Sequence, residues 1–418
     1  MIHHGSLLIR DCLFTLRSLP KDLTRKVPCL VALPKTHLCI INSEFVGCSG
    51  NLTAAIVSIN ATSCVISASR FQRFRGGAIY SIGHGGDPAR GKKPSEFLIQ
   101  DCSISDCMLM GVYLQGYGAK QVVLRLKIYH ILGIGIRVHK GNRSKIKGCD
   151  IVKCRTGIEL LSGDPYVCFN TIKQSQESGI VTIAKNGLRC DGLFRYNNII
   201  QNKDHGILIA GENNHSRFEK NFSISSNRLS GIKLIEGATA ILKANHIFGN
   251  FNQGILLTET TSAYIEQNDI YKNFKANIAF GGEGSSDTVI LRNRIHDSRA
   301  EGIFIIESGF SWIHANEIYG NNDGIVMFDS SPLLLANDIT ENSRSGVVAG
   351  GCSFPRIERN LIAHNIMTGL FFRDEARTKC FNNKVRRIGN QICQYYQEQY
   401  LTITTKSPRE RWTGRSFR

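Results

Sequence analysis

The sequence predicts an all-β fold of stacked three-strand coils, and three observations carry that prediction. One phrase recurs: "NHIFGNFNQGILL" (245–257), "NRIHDSRAEGIFI" (293–305), "NEIYGNNDGIVMF" (316–328), "NDITENSRSGVVA" (337–349) and "NLIAHNIMTGLFF" (360–372). The period is nearly constant: from Gly111 to Gly369 there are eleven steps over 258 residues, about 23.5 each. The hydrophobic segments within each phrase are about 3–5 residues long, which suits strands and is too short for helices. Self-similarity at such a period marks a solenoid, in which each repeat buries its apolar face against its neighbours. A leucine-rich repeat would add a leucine ladder and a helix-compatible stretch, and this phrase shows neither. The reading that fits is a single right-handed parallel β-helix with coils of about 22–25 residues.

The elements follow in chain order. Residues 1–96 read as irregular coils, in which "IRDCLF" (9–14), "IINSEF" (40–45) and "ISASRF" (66–71) repeat a hydrophobic-x-x-small-x-aromatic pattern. An insertion, "GHGGDPARGKKPS" (83–95), interrupts them. Residues 97–372 are the regular array, and 373–418 form a basic C-terminal segment that reads as a cap plus tail. Within the array an asparagine anchors each coil: Asn170, Asn197, Asn221, Asn245, Asn268, Asn293, Asn316, Asn337 and Asn360. Stacking places each amide beside the next, and an amide both donates and accepts. The expected result is a buried ladder that satisfies turn backbone. A second row, from Asn202 through Asn227, Asn250, Asn273, Asn321 and Asn342 to Asn365, should do the same. Cys102, Cys107, Cys149 and Cys154 take the equivalent slots in earlier coils, as small buried packing rather than metal ligands. The glycine after each second asparagine is expected to supply a tight bend.

Composition narrows the function classes. No stretch reaches the ~18–20 apolar residues of a membrane helix, and "MIHHGSLLIRDCLF" lacks the layout of a secretory signal. Fourteen cysteines without C-x-x-C spacing imply neither a zinc site nor a disulfide framework, so reduced thiols and a cytoplasmic location are expected. The net charge of +17 is uneven. Residues 1–150 hold 20 Lys/Arg against 8 Asp/Glu, residues 373–418 hold 11 against 4, and the middle is nearly neutral with 20 against 22. A basic chain suggests acidic partners, but the neutral array makes nucleic acid an unlikely one. No cofactor and no metal are expected.

The repeats resemble those of the right-handed β-helix superfamily, the carbohydrate-binding and sugar-hydrolase type. In the form N-x-I-x-x-N-x-x-x-G-I-x-hydrophobic they are most similar to the β-helical F-box proteins. The resemblance covers residues 97–372. "LPKDL" (19–23) looks like the opening of an F-box, but Pro28 and Pro34 follow and the rest of the motif is missing. The resemblance implies a non-catalytic binding scaffold, a protein-recognition component of a ubiquitin-ligase-type assembly. The alternative is a lyase, hydrolase or epimerase acting on an acidic polysaccharide. Carboxylates and a basic residue converging in one outer cleft would favour the alternative.

Candidate site residues come from three places, and none is assigned as catalytic. The second residue after each glycine should point outward, giving an apolar stripe of Leu208, Leu256, Phe304, Val326, Val348 and Phe371, interrupted by Lys233 and Ala279. Such a stripe is expected to bind a protein or peptide, or to be covered by residues 388–403. Five residues past the glycine stand Glu236, Glu259, Glu307, Asp329 and Asp374, either a set of paired carboxylates at glycosidase-like separation or an exposed acidic edge. The insertion offers His84 and Asp87 with Arg90, Lys92 and Lys93, an anion-binding cluster or a solvated loop.

Overall fold

The computed structural model describes residues 4–15, 28–47, 54–87, 89, 93–258, 260–282 and 287–386, together with the backbone of Leu401–Thr404. All regular structure here is β, in parallel strands. Two compact units divide the chain, Met1–Arg217 and Phe218–Arg418, with the boundary inside the expected 97–372 array. Each coil contributes a strand before the anchor, a strand after it, and a third strand that opens at or near the glycine.

In the first unit eight third strands pair in register, including Gly77–Ile82, Met110–Gln115, Ile134–His139 and Thr156–Leu160. The irregular N-terminal phrases are true coils. Ile9, Ile40 and Ile66 align, as do Phe14, Phe45 and Phe71. Those three rings stack at 4.6 and 5.1 Å, so an aromatic column fills the core where later coils use isoleucine.

In the second unit seven third strands stack, among them Glu301–Ile306, Asp323–Phe328, Ser345–Gly350 and Thr368–Phe372. Ile303, Ile305, Ile325 and Met327 are fully buried, as the alternation requires. The backbone of Leu401–Thr404 adds a strand beside Lys379–Arg386. The remainder of 388–403, and its expected covering of the stripe, lies outside the described residues, as does the F-box-like 19–23.

The asparagine ladder forms as expected. Asn293 Nδ2 donates to Asn316 Oδ1 at 3.0 Å, Asn316 to Asn337 at 3.0 Å, Asn337 to Asn360 at 2.9 Å, and Asn360 to Asn383 at 3.0 Å. Each amide oxygen also accepts the backbone N–H of the preceding anchor, and each Nδ2 also donates to a strand carbonyl, as Asn316 does to Ile290 O at 2.8 Å. The second row carries one repair. Ser298 replaces an asparagine there, and Asn277, standing where other coils have glycine, bridges the gap: Asn273 donates to it at 2.9 Å and it donates to Asn321 at 3.1 Å.

The glycines do something other than bend the chain. A Cβ at Gly302 would lie 2.6 Å from the Gly324 carbonyl oxygen and 2.8 Å from Ile318 Cγ2. Close stacking excludes a side chain there, while the left-handed turns fall to residues such as Glu307 and Asp329 (φ 48° and 49°).

Candidate functional site

Within each unit, outward side chains of the third strands form a row along the stacked coils. In the second unit the register runs Lys233, Leu256, Ala279, Phe304, Val326, Val348, Phe371. The stripe is contiguous there from Phe304 to Phe371, with Ala279 separating it from Leu256. Phe304, Val326, Val348 and Phe371 floor a groove of about 390 Å³. Val326 and Val348 are 7 % and 8 % exposed, so flanking rings already shield much of this floor. Leu256 lies in the same row outside the groove, and Leu208 belongs to the first unit.

Residues just before the glycines close one side of the groove. Glu301 and Asp323 align on neighbouring coils. Asp323 Oδ1 accepts the Ser345 N–H at 2.9 Å, and its Oδ2 lies 3.4 Å from Arg344 Nη1. On the other side the Arg373 guanidinium sits 4.8 Å from the centre of the Phe328 ring. Two carboxylates and two arginines thus meet the apolar floor in one outer cleft.

The carboxylates singled out from sequence are elsewhere. Glu236, Glu307, Asp329 and Asp374 are exposed turn residues with positive φ. Two of them bind turn backbone: Asp329 Oδ1 accepts the Cys352 N–H at 2.7 Å and Asp374 Oδ2 that of Gly351 at 3.1 Å. Glu259, Arg90 and Lys92 fall outside the described residues. His84 is held within its own loop, its Nδ1 accepting the Gly86 N–H at 3.2 Å and its N–H donating to Ser95 Oγ at 2.8 Å.

The first unit writes different chemistry at the same row. Its register runs Tyr80, Tyr113, Arg137, Glu159, then Val181 and Leu208. Arg137 Nε donates to Glu159 Oε2 in a close ion pair whose side chains are mostly buried. The Tyr80 and Tyr113 rings meet edge-on with centroids 5.7 Å apart. The Tyr113 hydroxyl is 2.7 Å from Gln115 Oε1 and 3.1 Å from His139 Nδ1. A phenol has one proton, and Gln115 Oε1 can only accept it. The imidazole must then donate from Nδ1, which leaves the Nε2 lone pair free.

Burial first, then the neighbouring Lys140 and Arg137 cations, push the His139 pKa below the ordinary imidazole value, with Glu159 opposing. Burial raises the Tyr113 and Tyr80 hydroxyls, against the pull of Arg137. The cluster therefore holds a neutral imidazole and protonated phenols at neutral pH. The rule that found the stripe would have found this cluster in "GVYLQ" (111–115), "GIRVH" (135–139) and "GIEL" (157–160).

A family model described as "Right handed beta helix region" matches residues 34–223, 170–284 and 260–406. The chain belongs to the right-handed β-helix family. No curated protein matches it in sequence. Among solved structures this β-helix is similar to the A-module of a mannuronan C-5 epimerase from Azotobacter vinelandii, with 12% identity over 97% of this chain and 92% of the other, and a TM-score of 0.39. A periplasmic alginate epimerase gives 13% identity, coverage of 91% and 85%, and a TM-score of 0.40. The catalytic unit of an α-1,3-glucanase from Streptomyces thermodiastaticus gives 10% identity, coverage of 90% and 63%, and a TM-score of 0.28.

These neighbours are epimerases and a glucanase rather than ubiquitin-ligase components, which corrects the expectation of a non-catalytic ubiquitin-ligase-type scaffold; a protein or peptide partner gains no support from them. The F-box likeness gains no support from the match. At such identities the likeness itself carries the fold, and any chemistry has to come from the side chains.

Proposed function

We propose that this β-helix modifies an acidic polysaccharide by proton transfer at the Tyr113–His139–Arg137 cluster. The observation that carries this reading is the Tyr113–His139 hydrogen bond beside a fixed guanidinium. In a uronate residue the proton next to the carboxylate is weakly acidic, and a cation against that carboxylate makes it more so. Arg137, held by Glu159, supplies the cation. His139 Nε2 removes the proton, its Nδ1 proton passes to the Tyr113 oxygen, and the tyrosine's own proton goes to the departing glycosidic oxygen. One C–H and one C–O bond break, one C=C bond forms, and the imidazole is neutral before and after. Base and acid sit on one side, which suits elimination better than inversion of the sugar carbon.

The stripe residues Phe304, Val326, Val348 and Phe371 serve, in this reading, as the apolar floor of a sugar-binding groove in the second unit. Glu301, Asp323 and Arg344 would take hydroxyls and a carboxylate along its edge.

The test is release of unsaturated uronate from a panel of polyuronates, followed by ultraviolet absorbance. His139→Asn and Tyr113→Phe should each lower the rate by about 10²–10⁴-fold, with unchanged unfolding midpoints. Chain cleavage without unsaturation, abolished in Glu301→Gln, would instead assign hydrolysis to the second unit. If no polyuronate is altered, or if both first-unit variants keep full rate, the reading is wrong.

A further inference from the structure

The second-strand face of the first unit carries a separate groove of about 570 Å³. Its floor is aliphatic, with Val152 and Ile200 beside the half-buried Tyr129. Around it stand Lys127, Lys153, Lys173 and His130, against one lining carboxylate, Asp150. Among the described residues, neither Lys127 nor Lys153 is in an ion pair. Strand register puts Lys127 beside Asp150 and Val152 beside Lys173, while His130 and Lys153 occupy the same left-handed turn on consecutive coils (φ 56° and 54°). Lys127, Lys153 and Lys173 thus stand on three successive coils, ~4.8 Å apart, at three different positions across the face, spread along the groove rather than converging on a point.

We propose that this groove anchors a linear acidic glycan. The proposal deepens the acidic-polysaccharide reading and rests on it for the choice of polymer. Cations spread over three successive coils match charges repeated along a chain, whereas one small anion needs several donors aimed at one place. Asp150 decides the kind of chain. Its side chain is 48 % exposed, but its Oδ1 is covered and accepts no hydrogen bond, and the Lys173 ammonium pairs with it only at 3.9 Å, beyond hydrogen-bond reach. An orphaned acceptor among cations calls for a donor, which a sugar hydroxyl provides and a phosphate backbone does not. The aliphatic floor suits the C–H face of a pyranose ring. Polyuronates combine both features: carboxylates for the lysines and hydroxyls for Asp150.

The experiment is affinity electrophoresis of the full chain through gels containing polygalacturonate or polymannuronate, with single-stranded DNA as the competing polyanion. Lys127→Glu/Lys173→Glu should weaken glycan retention about ten-fold or more and flatten its salt dependence. Lys127→Arg/Lys173→Arg should keep retention, and Asp150→Ala should narrow the preference for glycan over DNA. Should the charge reversal fail to fold, Lys127→Gln/Lys173→Gln carries the same test. Retention unchanged by loss of both lysines overturns the proposal, as does tighter retention by DNA than by either glycan. The catalytic reading fails separately: a chain that binds through these lysines yet forms no product leaves the anchoring site standing.

Discussion

The outward row of the third strands carries a polar, reactive stretch from Tyr80 to Glu159 in the first unit and an apolar stretch from Phe304 to Phe371 in the second. Tyr80, Tyr113, Arg137 and Glu159 occupy in one the positions that Ala279, Phe304, Val326, Val348 and Phe371 occupy in the other. The backbone beneath is the same parallel ladder, with apolar residues facing in and the repeat glycines packed against the next coil's carbonyl. A solenoid separates its tasks in this way. Inward positions and asparagine slots are dictated by stacking, and outward positions are free to carry function. Regularity is therefore a guide to architecture and a poor guide to chemistry.

The largest effect on that comparison should come from the shared masonry. Asn316→Ala removes the acceptor for the Asn293 N–H and Nδ2 and the donor to Ile290 O and Asn337. Leaving buried backbone groups unpaired should cost about 2–4 kcal/mol in denaturant unfolding, with product formation by the first unit unchanged per folded molecule. A loss of activity at unchanged midpoint would mean that the ladder is more than structure.

A smaller effect is expected at the row itself. Phe304→Ser removes a half-buried ring from the groove floor and should lower stability by about 1–2 kcal/mol, while weakening retention of the glycan. Stability and retention both unchanged would leave the apolar row of the second unit without a task.

The smallest effect is one of pH. His139 has a folded-state pKa below its unfolded value, so below about pH 6.5 the unfolded chain binds more protons there. The stability contributed by the neutral ring is present above that pH and is lost as pH falls through the folded value. Unfolding midpoints of the native chain should therefore fall more steeply on acidification than those of His139→Asn. The rate should likewise hold to a lower pH than an ordinary imidazole allows. Parallel midpoint curves for the two proteins would remove the neutral-base assignment.

Much of this molecule was legible in its residues because stacking is a local, periodic demand. The strand period, the two asparagine rows, the small buried cysteines and even the early coils at 9–14, 40–45 and 66–71 follow from residues that must repeat wherever coils are in register. Burial pushes the Cys149 and Cys154 thiols up to about 12. The outward direction of Phe304, Val326, Val348 and Phe371 followed from alternation alone.

What needed tertiary structure was everything that depends on the next coil. Sequence spacing placed Glu307 and Asp329 on neighbouring coils but could not say that both lie in exposed left-handed turns. It could not say that Asn277 replaces a glycine in order to bridge a missing amide two coils wide. Nor could it bring Tyr113 to His139, 26 residues away, or close a groove over Lys127, Asp150 and Lys173. The reason is physical: the chain determines which side chains leave each coil, and only the lateral register of one coil on another determines which of them meet.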